Sequence, residues 1–157
     1  ILLRRTFSLA AERMQAIAAS PLPPAEKVDC VLAAFAALIR EQAFFPAIML
    51  REVAEGGAHL DPDTLARLAS IPRAVGAIVS EGVRAGEFRD VNPLFTYFSL
   101  VVPIVIFQCA APIRQELGAR HLMTPASQEP DDFVRHMQAS ARRALAHDRP
   151  SSTRSRK

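Results

Sequence analysis

Charge is missing from one long stretch of this 157-residue chain: Leu94 to Ile113, LFTYFSLVVPIVIFQCAAPI, contains no Asp, Glu, Lys or Arg over 20 consecutive residues. Cysteine is scarce too. Cys30 and Cys109 are far apart and form no CxxC pair, which leaves no metal or redox motif to read from them. Both lie among Val, Leu, Ala and Phe, where a thiol behaves as a small hydrophobe, so free buried thiols in a reducing cytoplasm are expected. Signatures of catalysis are absent as well: there is no GxSxG, P-loop, GxGxxG or HExxH, and no Cys/His cluster at zinc spacing. Catalysis therefore finds little support in the sequence, and no motif for a resident metal or cofactor is present. No strand-like alternation of useful length and no internal repeat occur. The sequence opens at Ile1 without a basic n-region or cleavage site, so it is read as a piece of a longer chain rather than as a secretory leader.

What is present is apolar and helical. Hydrophobic residues make up 50% of the chain and mean hydropathy is +0.12, at the apolar edge of soluble proteins, while 22% charged residues argues against several membrane spans. One domain is expected at this length. The pI near 9.4 invites a nucleic-acid reading, but the excess positive charge is confined to DRPSSTRSRK at 148–157. That tail holds four of the 19 basic and one of the 16 acidic side chains, which leaves 15 of each sign on the body. A neutral body is a poor phosphate-binding surface, and the Ser- and Arg-rich tail is expected to be disordered.

Each periodic segment repeats at the helical interval. Residues 2–19 place Leu3, Phe7, Ala10, Met14 and Ile17 on one face. After SPLPP, Pro24 and Glu26 suit the first turn of a second helix reaching about Gln42. Its broad apolar face comprises Val28, Val31, Leu32, Phe35, Leu38 and Ile39. Phe45 and Pro46 open a short third helix that Gly56-Gly57 closes. Asp61-Pro62 reads as cap and first residue of a segment running to Ala85, with a kink or break predicted at Pro72 and termination at Gly86. Asn92-Pro93 caps the charge-free helix, predicted over Pro93 to Leu117 with Gly118 as its stop and with Pro103 and Pro112 bending it. A polar loop spans 118–129, and Pro130, Asp131 and Asp132 begin a last helix to about His147.

A helix apolar all round needs lipid, a partner chain or a core wrapping it. Its length fits a membrane span, but the other helices are amphipathic and written for water. A core helix that also meets a second subunit uses both faces: Phe95, Phe98, Val102 and Ile106 on one, Tyr97, Val101, Ile104 and Gln108 on the other. Four polar residues stand out. His59 and Asp61 read as turn and cap residues ahead of any acid/base pair. Glu52 follows Ile48 and Met49 on the flank of an apolar stripe, and is either a surface charge paired with Arg51 or Arg40 or a carboxylate facing a cavity. Gln108 is either hydrogen-bonded across a helix interface or free to meet a ligand.

The order of elements, together with ILLRRTFSLAAERM, FPAIMLREVAEGGAHL and above all EGVRAGEFRDVNPLF, resembles the C-terminal regulatory domain of TetR/AcrR-type transcriptional regulators over about residues 1–147. The resemblance implies an all-α bundle of about six helices whose last two long helices form a four-helix seam with a second copy. It also implies a cavity in each subunit for a small apolar or amphipathic effector, and effector-driven movement of the first helix. On this expectation the chain is the effector-binding and dimerisation part of a cytoplasmic repressor. It would reach operator DNA only through a helix-turn-helix that the sequence does not contain. The seam is expected at Phe95, Phe98, Val102, Ile106, Phe133, Met137 and Ala141. The pocket is expected to be lined by Phe7, Met14, Phe35, Leu38, Met49, Glu52, Ile78, Tyr97, Val101 and Gln108. The competing readings are a membrane-associated protein anchored by 94–113 and a small all-helical enzyme.

Overall fold

The computed structural model describes residues 2–123 and 129–147; the basic tail and part of the predicted 118–129 loop lie outside the described residues. Seven helices and no strand are found among them. They are α1 (Leu2–Ala19), α2 (Pro24–Glu41), α3 (Phe45–Ala54), α4 (Pro62–Arg84), α5 (Pro93–Cys109), α6 (Ala111–Ala119) and α7 (Pro130–Leu145). Proline stands in the first two positions of every helix but α1, where its missing N–H costs nothing and its fixed φ suits the helix.

α2 and α5 form the centre. α5 packs against α2, α3, α4, α6 and α7, whereas α1 packs chiefly along α4. Phe7, Met14, Leu32, Leu38, Ile78 and Ile104 are fully buried. Phe7 of α1 meets Phe45 of α3 edge to face, with ring centroids 5.5 Å apart. Lys27 is buried with them: its Nζ donates to the Ala18 carbonyl (2.9 Å) and to Glu81 Oε2 (2.7 Å), so one cation satisfies the negative end of α1 and ties it to α4.

The prolines inside the predicted helices meet different outcomes. α4 runs through Pro72 without a break, with buried Ile71 and Val75 on either side. The charge-free segment, by contrast, is not one helix to Leu117. It breaks after Cys109, and α6 leaves at 53° to α5. Pro112 cannot donate to the Gln108 carbonyl and its ring would crowd that carbonyl in a continuous helix, which turns the expected bend into a break at Ala110. α6 then passes Gly118 to end at Ala119, and His121 supplies the left-handed residue with φ 55°. No single helix among the described residues is long and apolar enough to cross a membrane; α5 with α6, and α2 with α3 across a 102° bend, reach the length only as bent pairs.

The link between α4 and α5 positions the C-terminal helix. Gly86 (φ 73°) turns the chain, and Phe88 seats its ring against Gly82, where a Cβ would collide with it. Arg89 then donates its backbone N–H to the Leu145 carbonyl (2.9 Å) and its Nε to the Ala144 carbonyl (2.6 Å), capping α7. The side of α7 facing α2 is tied by Arg142 to Asp29, and by Gln138 Nε2 donating to the Asp29 carbonyl at 3.1 Å.

Candidate functional site

α5 carries the most distinctive surface. Asn92 starts it, its Oδ1 accepting from the backbone N–H groups of Leu94 (3.0 Å) and Phe95 (3.1 Å). The hydroxyls of Thr96 and Ser99 are absorbed by the helix itself, donating to the carbonyls of Asn92 (2.9 Å) and Phe95 (2.8 Å). What remains on the surface is hydrocarbon. Phe95 is 70% exposed, Phe98 54%, Val102 40% and Ile106 46%, and steps of three and four place them on one face. Ile113 of α6 is exposed as well. The opposite face is inside: Leu100, Val101 and Ile104 are buried, and Tyr97 and Gln108 are half-buried. Burial pushes the Tyr97 phenol up to about 12.

The remaining residues expected at the seam are placed differently. Met137 and Ala141 lie in the core of the single chain, with Val134 and Leu145, because the one apolar stripe of α7 is taken up by α2 and α5. Phe133 is half-buried and stacks on Phe107, with ring centroids 4.0 Å apart and planes 6° from parallel. Arg114 covers Phe107 as well, its guanidinium carbon 3.6 Å from the ring centroid. Two planar groups so close cannot share a face, so Phe107 is sandwiched between them. Arg114 also donates to the Phe107 carbonyl, while its buried Nε has no hydrogen-bond partner. This stack joins α5, α6 and α7. Only the apolar spacing of Phe107 and Phe133 hinted at it in the sequence.

The residues expected around an effector divide into two sets. Phe7, Met14, Phe35, Leu38, Ile78 and Val101 are packed into the core, whereas Met49, Tyr97 and Gln108 are half-buried at its edge. Glu52 is buried, but neither Arg51 nor Arg40 is its partner: Arg51 pairs with Glu55 and Arg40 with Asp131. Its carboxylate turns instead toward His59 beyond the Gly56-Gly57 turn. Asp61 does cap α4, accepting from the Thr64 N–H at 2.8 Å, and the two hydrogen bonds from Thr64 hold its carboxyl below the ordinary value.

Among the described residues, two of the clefts that open at the surface are lined by none of those residues. One of about 380 Å³ lies between the Arg89–Asn92 connection, the start of α5 at Phe95, Thr96 and Ser99, and the end of α7 at Ala144 and Leu145. The other, of about 270 Å³, lies between α1 at Ser8, Glu12 and Gln15 and α4 at Ala66, Arg67 and Ser70, and is bridged by Arg67 donating to Ser8 Oγ at 2.8 Å. No protein-family model, curated protein or solved structure matches this chain.

Proposed function

We propose that the chain is the dimerisation and effector-binding part of a ligand-responsive transcriptional repressor of the TetR/AcrR type. The observation carrying the reading is the outer face of α5. A row of four exposed large apolar side chains with its local hydroxyls internally satisfied is an interface waiting for hydrocarbon. A second copy supplies the same surface, so a two-fold pairing buries Phe95, Phe98, Val102 and Ile106 on both subunits at once. The charge-neutral body fits an apolar partner better than a polyanion.

The effector is proposed to enter beside the half-buried Met49, Tyr97 and Gln108, where Met supplies adaptable contact and the phenol and amide orient a polar group. The Glu52 carboxylate is directed to the turn at His59, so the choice between cationic and other effectors is not built on it. A thermal-shift screen of hydrophobic cations, neutral aromatics and fatty acids tests this: stabilisation of the wild type that Gln108→Ala reduces supports the placement, and equal shifts in both proteins refute it.

The decisive experiment concerns α5. In light scattering the full chain is expected to be a dimer, and a Phe98→Arg, Val102→Lys double variant a monomer with an unchanged helical circular-dichroism spectrum, because both side chains already face water in the single chain. A double variant that remains a dimer overturns the placement. Loss of wild-type sedimentation with lipid vesicles in the same variant would favour the α5–α6 pair as a membrane-surface element instead.

A further inference from the structure

The end of α3 and the turn after it gather two carboxylates around one imidazole. Glu52 and Glu55 stand three residues apart, one turn of helix, at the end of α3. Gly56 and Gly57, with φ 67° and 76°, then reverse the chain and bring His59 back over both. His59 Nδ1 lies 3.3 Å from Glu52 Oε1 and 3.0 Å from Glu55 Oε2, and the His59 backbone N–H donates to Glu52 Oε2 at 3.3 Å. One potential ligand atom from each of the three side chains falls within 4.8 Å of the others.

Burial separates this corner from an ordinary acidic surface. Glu52 is only 5% exposed, and among the described residues no lysine or arginine pairs with it. A carboxylate removed from water favours a compensating positive charge beside it. Arg51 does not supply it, since it is engaged with Glu55 Oε1 at 3.1 Å on the outer side. The carbonyl end of α3 adds further negative potential at the same place. Hence a buried carboxylate, a second carboxylate and an imidazole nitrogen converge at one corner.

We propose that Glu52, Glu55 and His59 form a binding site for a divalent transition cation of the zinc type. Zinc takes nitrogen and carboxylate ligands at about 2.0–2.1 Å, so tetrahedral ligand atoms lie about 3.3 Å apart. The Nδ1–oxygen separations of 3.3 and 3.0 Å are already of that size, and the two carboxylates lie within 4.8 Å of each other. One imidazole with two carboxylates suits zinc, cobalt or nickel, whereas calcium and magnesium demand more oxygens. With three protein ligands and an exposed His59 side chain, a bound ion would take water as its fourth ligand. An ion held here clamps the α3–α4 corner two residues before Asp61 caps α4, and α4 in turn holds α1 through Asp63 and Arg4, 2.9 Å apart.

Calorimetric titration of the untagged full chain with zinc chloride, and cobalt chloride titration followed by visible absorbance, test the assignment. One equivalent should bind, excess magnesium should not displace it, and His59→Ala and Glu55→Gln should each weaken zinc binding by about tenfold or more. Both altered side chains are at the surface, so metal-free melting and circular dichroism report whether the fold is kept; Glu52→Gln is the third variant, read only if its spectrum is native. Absence of binding in the wild type overturns the proposal, as does displacement by magnesium. So does wild-type affinity in His59→Ala and Glu55→Gln, which would put the ion on His121, His136 or His147 as an adventitious ligand.

Discussion

Tyr97 is the chain's one tyrosine and tryptophan is absent, so its ionisation can be followed without interference. Burial raises the phenol to about 12 in the folded protein, against about 10 in an unfolded chain. A group whose value is raised on folding stabilises below its unfolded value, and that contribution disappears as pH rises from about 10 through 12. The phenolate absorbance should therefore titrate near 12 in the native protein and near 10 in denaturant. A native midpoint near 10 would place the ring in water, away from the inner face of α5. Residues of this kind were only half legible in the sequence. The two faces of α5 followed from steps of three and four, which need nothing beyond helix geometry. Glu52 was recognised as unusual but given the wrong partners, because its contact with His59 depends on two consecutive left-handed glycines folding the chain back. Met137 and Ala141 were assigned to a seam with a second copy, and within the single chain their stripe is already buried: an amphipathic pattern says that a face is covered, not by what.

Elements were legible where a local cap fixed their ends. Asp61 and Asn92 each accept hydrogen bonds from the first turn of the helix they precede, and Gly56, Gly57 and Gly86 have the positive φ that a stop requires. Prolines inside helices were not, because the same residue met opposite fates. Around Pro103, buried Leu100, Val101 and Ile104 hold α5 together through the lost hydrogen bond, whereas α6 has no buried residue near Pro112 to do the same. Tertiary packing decides between a tolerated proline and a break, and the sequence does not display it. The cap on α7 was hidden for a similar reason, since Arg89 lies 55 residues from the carbonyl it binds. Arg89→Ala should remove the Nε bond and leave the backbone one, costing about 0.5–1 kcal/mol and speeding amide exchange in the last turn of α7. Unchanged exchange there would show that the backbone bond alone holds the end.

At the scale of the molecule, the helical class was plain from periodicity and the absence of strand-like alternation. The packing partners were not. α5 appeared as a helix demanding cover on all sides; the structure covers one face with α2, α3, α4 and α7 and leaves the other to water. If that face pairs with its own copy, melting temperature should rise with protein concentration, since association stabilises only the folded state.

The prolines in the first two positions of six of the seven helices act elsewhere, on the disordered ensemble from which the fold is reached. A ring-locked φ removes conformations that an unfolded chain would otherwise sample, so entropy is surrendered before folding begins. Pro62 and Pro130 each occupy the first position of their helix, where no N–H is needed. Replacing either with alanine should lower stability by about 0.4–1 kcal/mol in urea denaturation, and replacing both should give close to the sum. The native contacts would be the same before and after, so this part of the chain's stability resides in the freedom its unfolded state lacks.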